Sequence, residues 1–293
     1  MSYFLQQSLN GIGSGAIYAS LGLALVLIYR TTNIANFAQG EMATFSAFLA
    51  WQLNNWGLPV AWAILGAVLL SIVLGAVVYL ALVRPVQYKD EMTIIIVTLG
   101  LYLAFNSASG AAWGFMQKSL PSPFPVQAWT ISSLRISAEL VGFVSILMAI
   151  AAGLFLLFQR TRLGLALRAA ASNAESAKLV GIPFIMMMTV GWGMAAALGA
   201  VSGVMVAPRL TLDPNMMGDV IIYAFAAAVV GGLSSYLGAV VGGVVVGVSQ
   251  SLSTAYLPSL GSDLQIIVPL LLIVAVLVAK PEGLFGKAVA VRV

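Results

Sequence analysis

The 293-residue chain is 61% hydrophobic and only 8% charged, against about 25% charged in ordinary soluble domains, so the bilayer is its main solvent. It contains no Cys and no His, which excludes a disulfide framework and thiolate chemistry and leaves little for His-based catalysis or a metal site. The formal charge of +4 lies at the ends of apolar stretches, where it reads as a topology signal and gives no support for nucleic-acid binding.

Those stretches run to about 20 residues, long enough to cross a hydrocarbon layer about 30 Å thick as helices. They lack the strict alternation of a β-barrel strand. The fold class expected is all-α, a polytopic transmembrane helical bundle with about 8 to 9 membrane helices in one domain over residues 1–293. Helices are predicted over 8–30, 31–51, 58–83, 92–113, 137–159, 183–207, 218–232, 236–256 and 264–280. No Lys or Arg precedes the first apolar run, so MSYFLQQSLN does not read as a cleaved signal peptide.

The second segment carries Asn33, Asn36, Gln39 and Glu41. An ionisable group at membrane depth points to function, because its burial is costly unless it faces a cavity or a partner. Asn36 is placed to cap a half-helix with Gln39 at its third position, offering amide donors to a substrate carboxylate. Glu41, one turn on, is placed to attract an ammonium group. The competing reading is a kink in which Glu41 is bonded to neighbouring polar side chains. Thr98, Asn106 and Gln250, isolated in apolar spans, fit interhelical hydrogen bonds, and Thr98 and Asn106 are also weak pathway candidates.

Between the fourth and fifth segments, Pro121, Pro123 and Pro125 favour extended backbone, a short stiff loop. Trp51, Trp56, Trp62, Trp113 and Trp129 lie near predicted outer boundaries, as interfacial anchors do. Glycine pairs at close-packing spacing occur at Gly11 and Gly15, Gly199 and Gly203, Gly238 and Gly242, and Gly243 and Gly247; ordinary helix packing explains each.

The stretch at 160–183 is the most informative soluble loop. Ser172 followed by Glu175 has capping-box spacing, so a helix of about two turns, roughly 12 Å, is expected from there. Lys178 would end it, Gly181 would take the left-handed terminating conformation, and Pro183 would block continuation. Arg160, Arg162, Arg168 and Lys178 surround it against one acid, Glu175, which suits anionic lipid or an acidic groove on a partner. Further on, the 218–232 segment is only about 15 residues, short for a span and expected to be tilted or re-entrant. Asp219 and Asp263 are placed to cap it and the last segment.

Gly164, Arg168, Ala169, Asn173, Ala177, Leu179, Gly181 and Ile182 resemble the cytoplasmic coupling region of the branched-chain amino acid ABC importer permeases. GIGSGAIYASLGLALVLIYRTTNIANFAQGE, VRPVQ, GGLSSYLGAVVGG and PEGLFG also fall in that family's order, so the resemblance covers nearly the whole chain. It implies a membrane-embedded permease subunit that forms half of a pathway for branched-chain or other amino acids. The implied partners are a second homologous permease, two cytoplasmic ATPases and a periplasmic substrate-binding protein. Gly164, Arg168, Asn173, Glu175, Lys178 and Gly181 are the implied ATPase-coupling residues. ATP and Mg would sit on the partners and no cofactor on this chain, which has no GxxxxGK[ST] loop. Family motifs of the NFAHGE type have His where this chain has Gln39, which weakens a proton-linked reading.

With the loop before Asp90 inside, Arg30, Arg84, Lys89, Arg160, Arg162, Arg168, Lys178, Lys280, Lys287 and Arg292 fall on the cytoplasmic side, leaving Lys118, Arg135 and Arg209 outside. That bias places the N-terminus in the periplasm and the C-terminus in the cytoplasm of a bacterial inner-membrane protein. An ion-coupled secondary transporter or channel for small polar solutes is the alternative class. It would carry repeated intramembrane acids, whereas Glu41 is the one good candidate for deep burial. An intramembrane enzyme lacks its His base, Cys nucleophile or aspartate pair.

Overall fold

A computed structural model describes residues 1–32, 35–131, 133–257 and 266–286. The chain is a polytopic, almost entirely helical membrane protein. Among the described residues the helices are α1 (Ser2–Thr32), α2 (Gln39–Asn55), α3 (Val60–Val78), α4 (Glu91–Trp113), α5 (Ala138–Arg160), α6 (Arg162–Ser172), α7 (Ala174–Leu179), α8 (Phe184–Leu210), α9 (Gly218–Gly231), α10 (Tyr236–Tyr256) and α11 (Ile267–Ala279). Six are long and apolar enough to cross a bilayer: α1, α3 with its continuation to Val86, α4, α5, α8 and α10. At 14 residues, α9 is about 21 Å long, short of the roughly 30 Å that a perpendicular span needs.

Most predicted segments are found within a few residues, and three differences are instructive. The predicted second helix begins at 31, but residues 35–38 are non-helical and α2 starts at Gln39. Its N-cap is Ala38 and not Asn36; the Asn36 side chain instead accepts the Ala38 N–H at 3.0 Å. Residues 160–183 hold two helices where one was expected. Beyond the three prolines the loop between α4 and α5 adds a hairpin that was not predicted, in which β1 (Ala128–Ile131) pairs antiparallel with β2 (Leu134–Ser137), Trp129 opposite Ile136. Asn33, Asp263, Lys287 and Arg292 lie outside the described residues, and Asp219 lies within the first turn of α9, where its charge suits the helix N-terminus.

The chain divides into two compact units. One comprises Met1–Val26, Phe124–Ala151 and Asp219–Val293. Within it the predicted glycine pairs meet face to face. A Cβ on Gly11 would come 2.6 Å from the Val248 Cα, and one on Gly15 would come 2.9 Å from the Val244 Cα, so α1 and α10 touch backbone to backbone. Lipid gives helices no hydrophobic reason to associate, and such contacts supply dispersion instead. Tyr18 donates to Gln250 Oε1 at 2.6 Å and stacks on Tyr223 at 4.8 Å.

The other unit comprises Leu27–Pro123 and Ala152–Gly218. In it α2 packs against α3, α4 and α8, and α3 against α8. The Ser71 hydroxyl joins α3 to Ser46 of α2 at 2.7 Å. Trp113 stacks on Phe48 at 5.0 Å and donates to Gln52 at 2.9 Å, so this tryptophan serves the helix contact more than an interface. Trp56 and Trp62 are exposed. The C-terminal end of α3 changes pitch: a π-helical turn, Tyr79–Val83, runs into a 3-10 turn, Arg84–Val86. Asp90 then caps α4, accepting from the Thr93 hydroxyl at 2.6 Å and its amide at 3.2 Å, bonds that hold this carboxyl below its ordinary range.

Candidate functional site

Both groups of predicted site residues fall within the second unit. The first is the break before α2. Asn36 and Gln39 are 1% and 0% exposed. Asn36 Nδ2 donates to Gln39 Oε1 at 3.2 Å, and Gln39 Nε2 donates to the Ala195 carbonyl of α8 at 2.9 Å. Their side chains are therefore engaged in fixing the break, with the Gln39 amide tying the start of α2 to α8.

Glu41 is different. It is 1% exposed, and Asn106 of α4 donates to its Oε2 at 3.3 Å. The same Asn106 amide nitrogen lies 3.1 Å from the Pro214 carbonyl and 3.0 Å from Asn215 Oδ1. An amide nitrogen has two hydrogens and here faces three acceptors, so Glu41 receives a shared one. A carboxylate offers about four acceptor positions, which leaves this one with most of its capacity for a cationic group. Asp213 adds negative potential beside it.

The loop carrying Asp213, Pro214 and Asn215 is shaped by its own bonds. Thr211 ends α8 with φ 65°, a conformation that β-branched residues avoid. Leu212 then pairs with Lys118 through two backbone bonds of 2.9 Å, and Asp213 accepts the Asn215 amide at 2.8 Å. Strain of this kind costs about 1 to 3 kcal/mol and persists where the surroundings demand it. Here it aims the chain at Asn106. Thr98 is 1% exposed, but its hydroxyl donates to the Ile95 carbonyl at 2.9 Å. It lies two turns from Asn106, about 12 Å along α4, and no contact brings it to Glu41.

The second group is the α6–α7 segment. Thr161 caps α6 by accepting from the Gly164 amide at 3.0 Å. Gly164 is buried because α6 folds back on α5; a Cβ there would come 2.6 Å from the Phe158 Cα. Arg168 is half-buried on α6. The cap of α7 is Asn173, not Ser172: α6 runs through Ser172, and Asn173 Oδ1 accepts the Ser176 amide at 2.9 Å. At six residues, α7 is about 9 Å long, shorter than expected. Its end follows the Schellman pattern, with the Ile182 amide on the Ala177 carbonyl at 2.9 Å, the Gly181 amide on Lys178 at 3.0 Å, and Gly181 at φ 81°. Glu175 is exposed in the first turn and Lys178 in the last. Asn173→Ala is expected to cost α7 about 1 kcal/mol, raising hydrogen exchange at the Ser176 amide about fivefold; exchange at the wild-type rate would show that the cap holds nothing.

Sequence reasoning overlooked the partners that define both groups. Nothing local marks Pro214 or Asn215 as neighbours of Glu41. Leu179 and Val180, 88% and 75% exposed, form an apolar tip at the end of α7. Tyr88, in the turn before α4, receives a hydrogen bond from Lys178 Nζ at 3.1 Å.

A family model described as the branched-chain amino acid transport system permease component matches residues 7–277. The chain belongs to this family. The permease is 28% identical over 301 aligned positions to the high-affinity branched-chain amino acid transport system permease protein LivH of Salmonella typhimurium, covering 97% of this chain and 96% of that one. To the probable branched-chain amino acid transport permease protein LivH of Methanocaldococcus jannaschii it is 31% identical over 285 positions, covering 91% of this chain and 87% of the relative. A shorter match, 31% over 192 positions and 63% of this chain, reaches the xylose/arabinose import permease protein XylH of Sulfolobus acidocaldarius, of which it covers 52%. This is a LivH-like transport subunit and not an enzyme.

Proposed function

We propose that this permease forms half of the translocation pathway of an ABC importer for branched-chain amino acids and is driven through α7 by ATPases on separate subunits. A second homologous permease would supply the other half, and a binding protein would deliver solute from outside. ATP and Mg would be held by the ATPases. In this reading residues 160–183 face the cytoplasm, the N-terminus is periplasmic and the C-terminus cytoplasmic, as the distribution of Lys and Arg supports.

The observation that carries the reading is α7. A six-residue helix is too short to be stable alone, yet this one is closed at both ends by specific bonds and leaves Leu179 and Val180 in the open. A short rigid element with an apolar tip and a basic flank fits docking into a partner's groove. Gly164, by letting α6 lie on α5, ties that element to the span preceding it, and Arg168 adds to its basic flank. At the other end of the unit, Glu41 and Asn106 offer a carboxylate and an amide to a zwitterion, the carboxylate for its ammonium group. Asn36 and Gln39 support the same site by fixing the start of α2.

Reconstitution of the chain with its partners in liposomes tests this directly. Uptake of labelled leucine, isoleucine and valine should require ATP hydrolysis. Uptake driven by an ion gradient without ATP would establish the secondary-transporter class instead. Replacing both Leu179 and Val180 with Ser should weaken capture of the ATPases about a hundredfold or more, since burying two such side chains contributes about 1.5 to 3 kcal/mol each. Capture at wild-type strength would remove α7 as the docking element.

A further inference from the structure

The side chains that join α7 to the rest of its unit form a continuous line. Lys178 Nζ donates to the Tyr88 hydroxyl at 3.1 Å and lies 5.3 Å from the centre of the Tyr88 ring and 5.4 Å from that of Phe184. Tyr88 belongs to a tight turn, closed by the Lys89 amide on the Val86 carbonyl at 2.9 Å, so it moves with its neighbour Gln87. Gln87 Oε1 accepts from the Tyr79 hydroxyl at 2.7 Å. Tyr79 is fully buried, opens the π-helical turn at the end of α3, and stacks on Trp192 of α8 at 6.3 Å. Three residues further along α8, the Ala195 carbonyl receives the Gln39 amide.

We propose that Lys178 and Tyr79 are positioning residues that carry displacement of α7 to the Gln39 end of α2, by way of Tyr88, Gln87 and Trp192. The inference rests on the importer reading given above. A chain of contacts transmits only if some element in it has two arrangements, and the π-helical turn supplies one. It holds one more residue per turn than the helix it continues, and such bulges can be absorbed or shifted along a helix at functional sites. Tyr79 is where that turn grips α8. A Cβ on Gly75, one turn earlier in α3, would come 2.7 Å from the Ala196 Cβ, so α3 and α8 lie in direct contact at this level and a change of pitch in one is felt by the other.

Lys178 is suited to the outer end of the line. A cation that donates to the Tyr88 hydroxyl and lies beside the Phe184 ring gives α7 a directed link to the turn before α4, which an apolar contact at so exposed a position would lack. At the inner end the hydroxyl of Tyr79 donates to Gln87, its one partner among the described residues, and removing it leaves the ring stack in place.

The test uses the transporter assembled with its ATPases and binding protein in liposomes, with Lys178→Met, Lys178→Arg, Tyr79→Phe and the Lys178→Met/Tyr79→Phe pair. The readout is ATP hydrolysed per leucine taken up, with the KM for leucine measured alongside. Each of Lys178→Met and Tyr79→Phe is expected to raise the ratio about three- to tenfold, the range produced by changes along a coupling route. KM should stay unchanged, Lys178→Arg should restore the wild-type ratio, and the pair should be no worse than either single because both act on one line. An unchanged ratio in both singles, a Lys178→Arg variant no better than Lys178→Met, or an additive pair would overturn the proposal. The chain has no Cys of its own, so Tyr88→Cys with Lys178→Cys can be joined by a cleavable bifunctional thiol reagent. The Cys pair removes both contact groups and should raise the ratio; joining should lower it toward the wild-type value and cleavage should raise it again, and a ratio unchanged by joining overturns the proposal even where a point variant fails to assemble. Failure of the importer reading looks different: the unmodified transporter itself would show no ATP-dependent uptake.

Discussion

Glu41→Gln is expected to lower kcat/KM for leucine uptake by about thirtyfold or more, about 2 kcal/mol, the scale of a hydrogen bond to a charged group. The substitution keeps the side chain's length and leaves an oxygen for the Asn106 amide, so the helix contact survives and only the charge is lost. A carboxylate buried to 1% exposure with one shared donor is costly to hold in place. Its cost would be offset by an ammonium group that took the remaining lone pairs. The loss should therefore fall on solutes that carry an amine. Analogues of leucine without the amine should be poor substrates of the wild type and nearly insensitive to the change. If Glu41→Gln transports leucine at the wild-type rate, Glu41 is a packing residue and the kink reading stands.

The Asn106 side makes the same point from the opposite direction. Its amide is shared among Glu41, the Pro214 carbonyl and Asn215. The carboxylate on α2 and the loop after α8 thus compete for one donor. A cation at Glu41 would relieve that competition and let Asn106 turn fully to the loop, which links occupancy of the site to the strained stretch beginning at Thr211.

How much of this could be read in the sequence follows from which interactions are local. The span at 92–113 begins one residue late and the one at 236–256 coincides with α10, because an apolar run bounded by caps is defined by its own residues. The break before α2 was half legible. Asn36 and Gln39 announced a polar turn, but the Tyr-Arg-Thr-Thr stretch that closes α1 gave no sign of where the next helix would begin. There the Asn36 side chain takes the Ala38 amide, a local competitor to helix formation. The one-residue error at the start of α7 has a similar origin. Ser172 and Asn173 are both good caps, and the choice was made by α6, which extends through Ser172 and leaves Asn173 with an extended backbone, φ −154°. α6 itself was read as loop because arginines at 160, 162 and 168 obscure its apolar face; Leu167 and Ala170 are buried. Asn215 and Tyr88 lie 109 and 90 residues from their partners. Only the packing of α2, α3, α4 and α8 brings them there, and no spacing rule reaches that far.

That packing supplies the other large expected effect. Gly203 of α8 lies against the backbone of Ala43 in α2: a Cβ on it would meet the Ala43 carbonyl oxygen and come 2.9 Å from its carbon. Backbone cannot rotate out of the way as a side-chain end can. Gly203→Ala must therefore push α2 from α8, at a cost of about 2 kcal/mol, and Gly203→Leu at more. Gly199, one turn earlier, is only superficially alike. A Cβ there would come 2.6 Å from Gln39 Nε2, the movable end of a side chain, so Gly199→Ala should cost less stability. It should cost more in transport, because the displaced amide is the one that ties the start of α2 to the Ala195 carbonyl. The two variants are thus expected to separate: Gly203→Ala with the lower thermal midpoint, Gly199→Ala with the lower uptake per folded molecule. Equal midpoints would mean that α2 and α8 are not held at the separation described. Equal uptake would mean that the Gln39 anchor does not set the geometry of the site that begins two residues further on, at Glu41.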